Sequence, residues 1–210
     1  MKKLPLIALV LALASAGTAH AAFYFEATGL YSNPSDVKVD SASSFRASIK
    51  SNTGFSGALG YKFSMLRVEA EIQNLSSGTS GGSTSTGTAT VFGSLREFSG
   101  FANAYVDVPS FLGLAPYVGF GLGEARVDLG QFNVVQGATN VVQFSGKGTA
   151  SAYQLLAGLQ FHIFGQATLH AGYRVVERGD ISLRNAVVNA SQKITLGQNK
   201  LFEIGVALGF

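Results

Sequence analysis

Nine charged side chains occur within otherwise apolar or small-residue segments: Glu26, Lys62, Arg67, Glu69, Glu71, Glu97, Asp107, Arg174 and Glu203. Carboxylates set among guanidinium and ammonium groups can form buried ion pairs, line a cation path, or exchange protons. His162 and His170 add imidazole chemistry, but a metal site would need a third ligand close by. There is no Cys, so a thiolate site and a disulfide framework are excluded. Gly119-Phe120-Gly121-Leu122-Gly123 lacks the GxGxxG spacing of a phosphate cradle, and no helical pattern follows it. These glycines are expected to make room for bulky neighbours instead. No catalytic residue, metal or cofactor is assigned. No basic run suggests nucleic acid.

The elements that would position these charges are strands. In Leu66–Gln73, Leu66, Val68, Ala70 and Ile72 take one face, while Arg67, Glu69, Glu71 and Gln73 take the other. The same period of two recurs in eight segments, near 22–31, 53–63, 66–73, 96–108, 115–127, 151–164, 167–176 and 200–210. Most are longer than the usual soluble strand of about 5 or 6 residues. They suit a tilted transmembrane strand of about 9–11. Short connections (Ser64-Met65, Pro109 to Leu114, Gly165-Gln166) alternate with long ones at 32–52, 74–95, 128–150 and 177–198. This is the pattern of an outer-membrane barrel with short periplasmic turns and long outward loops. The long stretch from Ser76 to Gly87 is uncharged and rich in Ser, Thr and Gly, and is expected to be a flexible solvated loop.

The fold expected is therefore all-β: an eight-stranded antiparallel transmembrane β-barrel over 22–210. It follows a Sec signal peptide over 1–21, with Lys2 and Lys3, an apolar Leu4–Ala14 and the small-residue site Ala19-His20-Ala21. Eight strands close the sheet and leave a lumen that side chains fill. Glu26, Lys62, Arg67, Glu69, Glu71, Glu97, Asp107, Arg174 and Glu203 then point inward as an ion network. His162 and His170 also face the lumen, flanking one periplasmic hairpin. Acids exceed bases six to three, so a narrow cation-preferring pore is an alternative to a purely structural role. If Phe210 lies opposite Ala167, Arg174 lies directly opposite Glu203 and pairs with it.

Family resemblance extends this reading. The Phe-terminated alternation Phe202, Ile204, Val206, Leu208, Phe210 resembles the C-terminal strand read by the barrel-assembly machinery. Gly57-Ala58-Leu59-Gly60-Tyr61, Asn103-Ala104-Tyr105-Val106-Asp107, Pro116-Tyr117-Val118-Gly119-Phe120-Gly121-Leu122-Gly123 and Ala171-Gly172-Tyr173-Arg174 resemble segments of opacity-protein-like, OmpA-type surface antigens. The resemblance implies a barrel-only member without a periplasmic peptidoglycan-binding domain. It implies no common enzymatic activity, and its partners would be outer-membrane lipid, the assembly machinery, and host or phage surfaces met by the loops. Eight-stranded lipid-modifying enzymes use a His with Ser near the lipid-facing rim, whereas His162 and His170 lie on the inward face.

Overall fold

Period-two alternation forces successive side chains to opposite faces of an extended chain, so each segment buries one face only when strands close around it. The protein, as a computed structural model, describes residues 21–34, 37–39, 45–49, 51–84, 87–92, 94–136, 139–164, 166–185 and 190–210. Apart from Ala21, the leader expected at 1–21 lies outside the described residues. The strands are β1 (Ala21–Pro34), β2 (Val37–Val39), β3 (Phe45–Ile49), β4 (Asn52–Phe63), β5 (Leu66–Thr84), β6 (Gly87–Phe92), β7 (Ser94–Asp107), β8 (Leu114–Gln136), β9 (Thr139–Phe164), β10 (Ala167–Arg178), β11 (Ile181–Asn185), β12 (Ala190–Thr195) and β13 (Asn199–Gly209). Eight of them, β1, β4, β5, β7, β8, β9, β10 and β13, pair antiparallel in that order. β13 then pairs with β1 from Tyr24↔Gly209 to Pro34↔Asn199, which closes the barrel and removes both edges.

The long connections differ from expectation. Much of each is strand rather than loop, because the barrel strands run on past the apolar belt and gather partners there. β8 and β9 continue as one hairpin to Gln136↔Thr139. The Ser/Thr/Gly segment expected to be flexible continues β5 as far as Thr84 and pairs with β3 and β6. Chain entropy favours disorder in such a segment, but neighbouring strands supply backbone partners that outweigh it. β2, β3, β6, β11 and β12 thus build a β-sheet crown at the end opposite the short turns.

The outward face carries the membrane signature. Ile72, Phe98, Leu122, Tyr153 and Phe202 are each more than two-fifths exposed, as side chains facing lipid are when no lipid is counted. One step further along each strand the outward residue becomes polar: Asn74, Arg96, Glu124, Ser151 and Lys200. Tyr31, Phe55, Phe98, Tyr153, Tyr173 and Phe202 mark that boundary, and Tyr173 meets Phe202 edge-on at 5.0 Å. At the opposite end, Phe23, Tyr61 and Phe210 cluster, with Phe23 4.8 Å from Tyr61 and 6.1 Å from Phe210. Two aromatic girdles around an apolar band are what a membrane-spanning barrel requires. Among the described residues no helix is long and apolar enough to cross a membrane.

Two details depart from simple alternation. Ala167, expected on the outward face, is buried because a register shift between Ala167 and Thr168 interrupts the pairing. The Pro109–Leu114 turn places Leu112 (φ 54°) and Gly113 (φ 83°) in the left-handed region, a conformation that glycine accepts and leucine resists.

Candidate functional site

The inward faces meet in the lumen and form layers along the barrel axis. Arg174 sits at the centre, 1% exposed. Its Nη1 donates to Glu71 Oε1 at 2.7 Å, and its Nε and Nη2 reach Glu203 Oε2 at 2.6 and 2.5 Å. Glu71 Oε2 accepts from Asn103 Nδ2 (2.8 Å) and Gln154 Nε2 (3.0 Å), and Tyr117 Oη donates to Glu203 Oε1 (2.7 Å). One guanidinium between two carboxylates, each also held by neutral donors, is the arrangement that makes buried charge tolerable.

The pairing of Arg174 with Glu203 comes from a register other than the one expected. Ala167 opposes Leu208, not Phe210, so Glu203 faces Gly172 and Arg174 faces Leu201. The pair is diagonal. A long guanidinium stem spans that offset, and Gly172 leaves the space above its own Cα for the carboxylate. A Cβ there would lie 2.7 Å from Glu203 Oε1 and 2.5 Å from Tyr117 Oη.

A second group lies toward the short turns. Arg67 donates through Nε to Asp107 Oδ1 (2.8 Å) and through Nη1 to Glu69 Oε1 (3.0 Å), while Tyr24 Oη donates to Glu69 Oε1 at 2.5 Å. Lys62 reaches Asp107 Oδ2 at 2.8 Å from the half-buried rim. The Arg67 guanidinium also lies 4.4 Å from the Tyr105 ring centroid and 5.3 Å from that of Tyr117, within cation–π range of both rings. Inward glycines admit these groups, as expected for Gly119, Gly121 and Gly123. A Cβ on Gly119 would collide with the Tyr105 ring, one on Gly121 with Asn103 Oδ1, and one on Gly123 with the Phe101 ring.

Glu26 stands apart from these cations. It accepts from Thr28 Oγ1 (3.1 Å) and faces His170 Nε2 at 3.5 Å, and Thr28 Oγ1 lies 3.2 Å from the same nitrogen. Hydroxyl and acid share one imidazole nitrogen rather than taking one each, so this is not the geometry of a nucleophile–base–acid relay. His162 is exposed at the rim and bonds Thr168 through Nδ1 at 2.7 Å. The two histidines do not join a metal cluster: among the described residues no three His, Asp or Glu side chains are placed to hold an ion. Glu26, Lys62, Arg67, Gln160, His162 and His170 help line a cavity of about 260 Å³ at the short-turn end.

Above Arg174 the lumen turns apolar. Leu30, Leu75, Phe101, Ala125, Ala152, Val176 and Leu201 form one buried cluster drawn from seven of the eight barrel strands. The eighth, β4, contributes Gly54 between Leu30 and Leu75, where a Cβ would strike Leu75 Cδ2. Glu97 lies beyond this layer and accepts from Ser99 (3.0 Å) and pairs with Arg178. Sequence reasoning misses Arg178, because it ends the seventh strand at 176. Continuing the same alternation by two residues would find it.

The comparisons agree with this architecture. Neisserial surface protein A (NspA) is 19% identical, with TM-score 0.57 over 90% of this chain and 99% of that one. OprG from Pseudomonas aeruginosa is 14% identical, with TM-score 0.57 over 91% and 96%. A major outer membrane protein from Thermus thermophilus is 10% identical, with TM-score 0.56 over 91% and 100%. At these identities the likeness is one of fold. No curated protein matches the chain in sequence. Residues 5–210 match the outer membrane protein beta-barrel domain. With a closed eight-stranded ring and lipid-facing apolar walls, the chain belongs to that family and resides in the outer membrane.

Proposed function

We propose that this protein is a structural outer-membrane barrel with a sealed lumen, which displays its β-sheet crown at the cell surface and carries out no chemistry. The observation that supports this is the stacking of two barriers across the lumen. The ion network around Arg174 is buried and mutually paired, and the layer above it is an apolar cluster drawn from seven of the eight barrel strands. An ion would have to break Arg174 from Glu71 and Glu203 and then cross an apolar layer. The experiment is planar-bilayer recording of the purified barrel. A flat baseline is expected, and reproducible cation-selective steps would favour the narrow-pore reading instead.

A loop-mediated adhesin is the second reading, favoured by the five additional strands that hold the crown in a fixed shape. Deleting the β2–β3 or β11–β12 hairpin and measuring binding to host cells or phage tests it. On either reading the chain is exported through the Sec pathway and cut after Ala21, which N-terminal mass spectrometry of the outer-membrane form would check. Its terminal strand, with Phe202, Ile204, Val206, Leu208 and Phe210 outward, serves as the assembly signal.

A further inference from the structure

The outer wall carries a cleft unrelated to the lumen. It has a volume of about 390 Å³ and is lined by Phe98, Gly100, Gly123, Glu124, Arg126 and Thr149 on β7, β8 and β9. It lies at the upper aromatic boundary, where the outward face of β8 changes from Leu122 to Glu124 and that of β7 from Phe98 to Arg96. Phe98 is directly opposite Arg126 and Arg96 directly opposite Asp128, so the two arginines are diagonal neighbours on one face. Diagonal positions on paired strands are about 7–8 Å apart, within reach of two long side chains.

Both arginines are exposed, and neither has an ion-pair or hydrogen-bond partner among the described residues. Of the two nearby acids, Asp128 pairs with Lys147 at 3.0 Å, and Glu124 forms no ion pair with either arginine among the described residues. Two unpaired guanidiniums side by side repel unless an anion lies between them. The planar guanidinium fork fits a phosphate with two parallel bonds. Gly100 contributes no side chain to the cleft floor, and Phe98 gives it an apolar wall. Glu124, on the membrane side of Arg126, would repel an anion and so keeps it on the Arg96 side. An apolar wall beside Arg126 and a second guanidinium one step above it, at headgroup depth, match an amphiphile with a phosphate head.

We propose that this cleft seats the phosphorylated headgroup of an outer-leaflet glycolipid, with its phosphate between Arg126 and Arg96 and its apolar part against Phe98 and Gly100. The test uses the full mature chain in neutral phosphatidylcholine nanodiscs. Bound lipid A is counted by native mass spectrometry with lipid A that carries its phosphates, with dephosphorylated lipid A, and with inorganic phosphate as competitor. Phosphorylated lipid A is expected to bind. Its affinity should fall by about tenfold or more in Arg96→Gln/Arg126→Gln, which removes two charge-assisted contacts. Heat-dependent gel mobility of the variant checks that the barrel is intact, and Lys200→Gln, on a different strand at the same depth, should bind as the parent does. Equal binding by the double variant, equal binding of dephosphorylated lipid A, or displacement by inorganic phosphate at low millimolar concentration would each overturn the proposal.

Discussion

Gly172 and Glu203 face each other across β10 and β13, and the Glu203 carboxylate occupies the space that a side chain on residue 172 would fill. The smallest residue in the strand is thus what lets the central lumen charge cluster assemble. Tyr117 reaches Glu203 through the same opening. Replacing Gly172 with Ala should destabilise the barrel by about 1–3 kcal/mol through overpacking of this cluster. Reversible urea unfolding in detergent measures it. An outward alanine in the same strand, at Val175, should cost clearly less.

Arg174 bridges two acids, so its removal is not the mirror image of theirs. Arg174→Met leaves Glu71 and Glu203 as buried carboxylates with no cation, a loss of about 3–5 kcal/mol. Glu203→Gln keeps the Arg174–Glu71 pair (2.7 Å) and an acceptor for Tyr117, and should cost less. The triple variant Arg174→Met/Glu71→Gln/Glu203→Gln should recover part of the loss. Unfolding free energies of the three variants check the order, and a triple variant less stable than Arg174→Met would contradict it.

How much of this is legible in the sequence depends on which property the pattern encodes. Period two fixes the face, so the inward placement of Arg67, Glu69, Glu71 and Glu203 can be read directly. Register is not encoded by period two, and the expected pairing of Phe210 with Ala167 is two residues off. A shift of two preserves every face, which is why nothing in the alternation exposes the error. The Arg174–Glu203 contact survives it only because an arginine is long and Gly172 is bare. Polarity misleads in another place. Beyond the membrane boundary both strand faces can meet water, so alternation fades although the strand continues. That is why the pattern ends β5 at 73 and β10 at 176, and leaves Arg178 unassigned.

Gln73 is 1% exposed, and among the described residues neither of its amide atoms has a hydrogen-bond partner. It lies opposite Ser56 and Ser99 and two residues before Leu75 of the apolar layer. Unmade hydrogen bonds of a buried amide cost about 1–3 kcal/mol, and a thioether of similar volume avoids that loss. Gln73→Met should therefore be neutral or stabilising by up to about 2 kcal/mol, although it exchanges a polar lumen residue for an apolar one. Thermal unfolding of the folded barrel reports the sign, and a clear destabilisation would indicate that the amide is satisfied by lumen water.

Phe210 stands at the seam where the barrel closes. Its backbone N–H donates to the Phe23 carbonyl at 2.9 Å, and its ring stacks on Phe25 at 5.1 Å and on Phe23 at 6.1 Å. Yet it is 61% exposed, so its removal forfeits a girdle contact and one terminal hydrogen bond rather than a core residue. Exposed aromatic pairs contribute about 0.5–1.5 kcal/mol, and one hydrogen bond about as much again. β1 and β13 remain paired from Tyr24↔Gly209 onward without it. Deleting Phe210 should therefore lower the stability of barrel refolded in detergent by only about 1–3 kcal/mol. If the terminal aromatic also serves as the assembly signal, the loss in cells is kinetic and separate: the chain should accumulate in the periplasm or be degraded, while the refolded protein stays folded. Comparing outer-membrane abundance with in vitro unfolding separates the two effects. Phe210→Tyr keeps the ring and should restore both, Phe210→Ala should restore only the hydrogen bond, and outer-membrane levels that track in vitro stability alone would remove the assembly role.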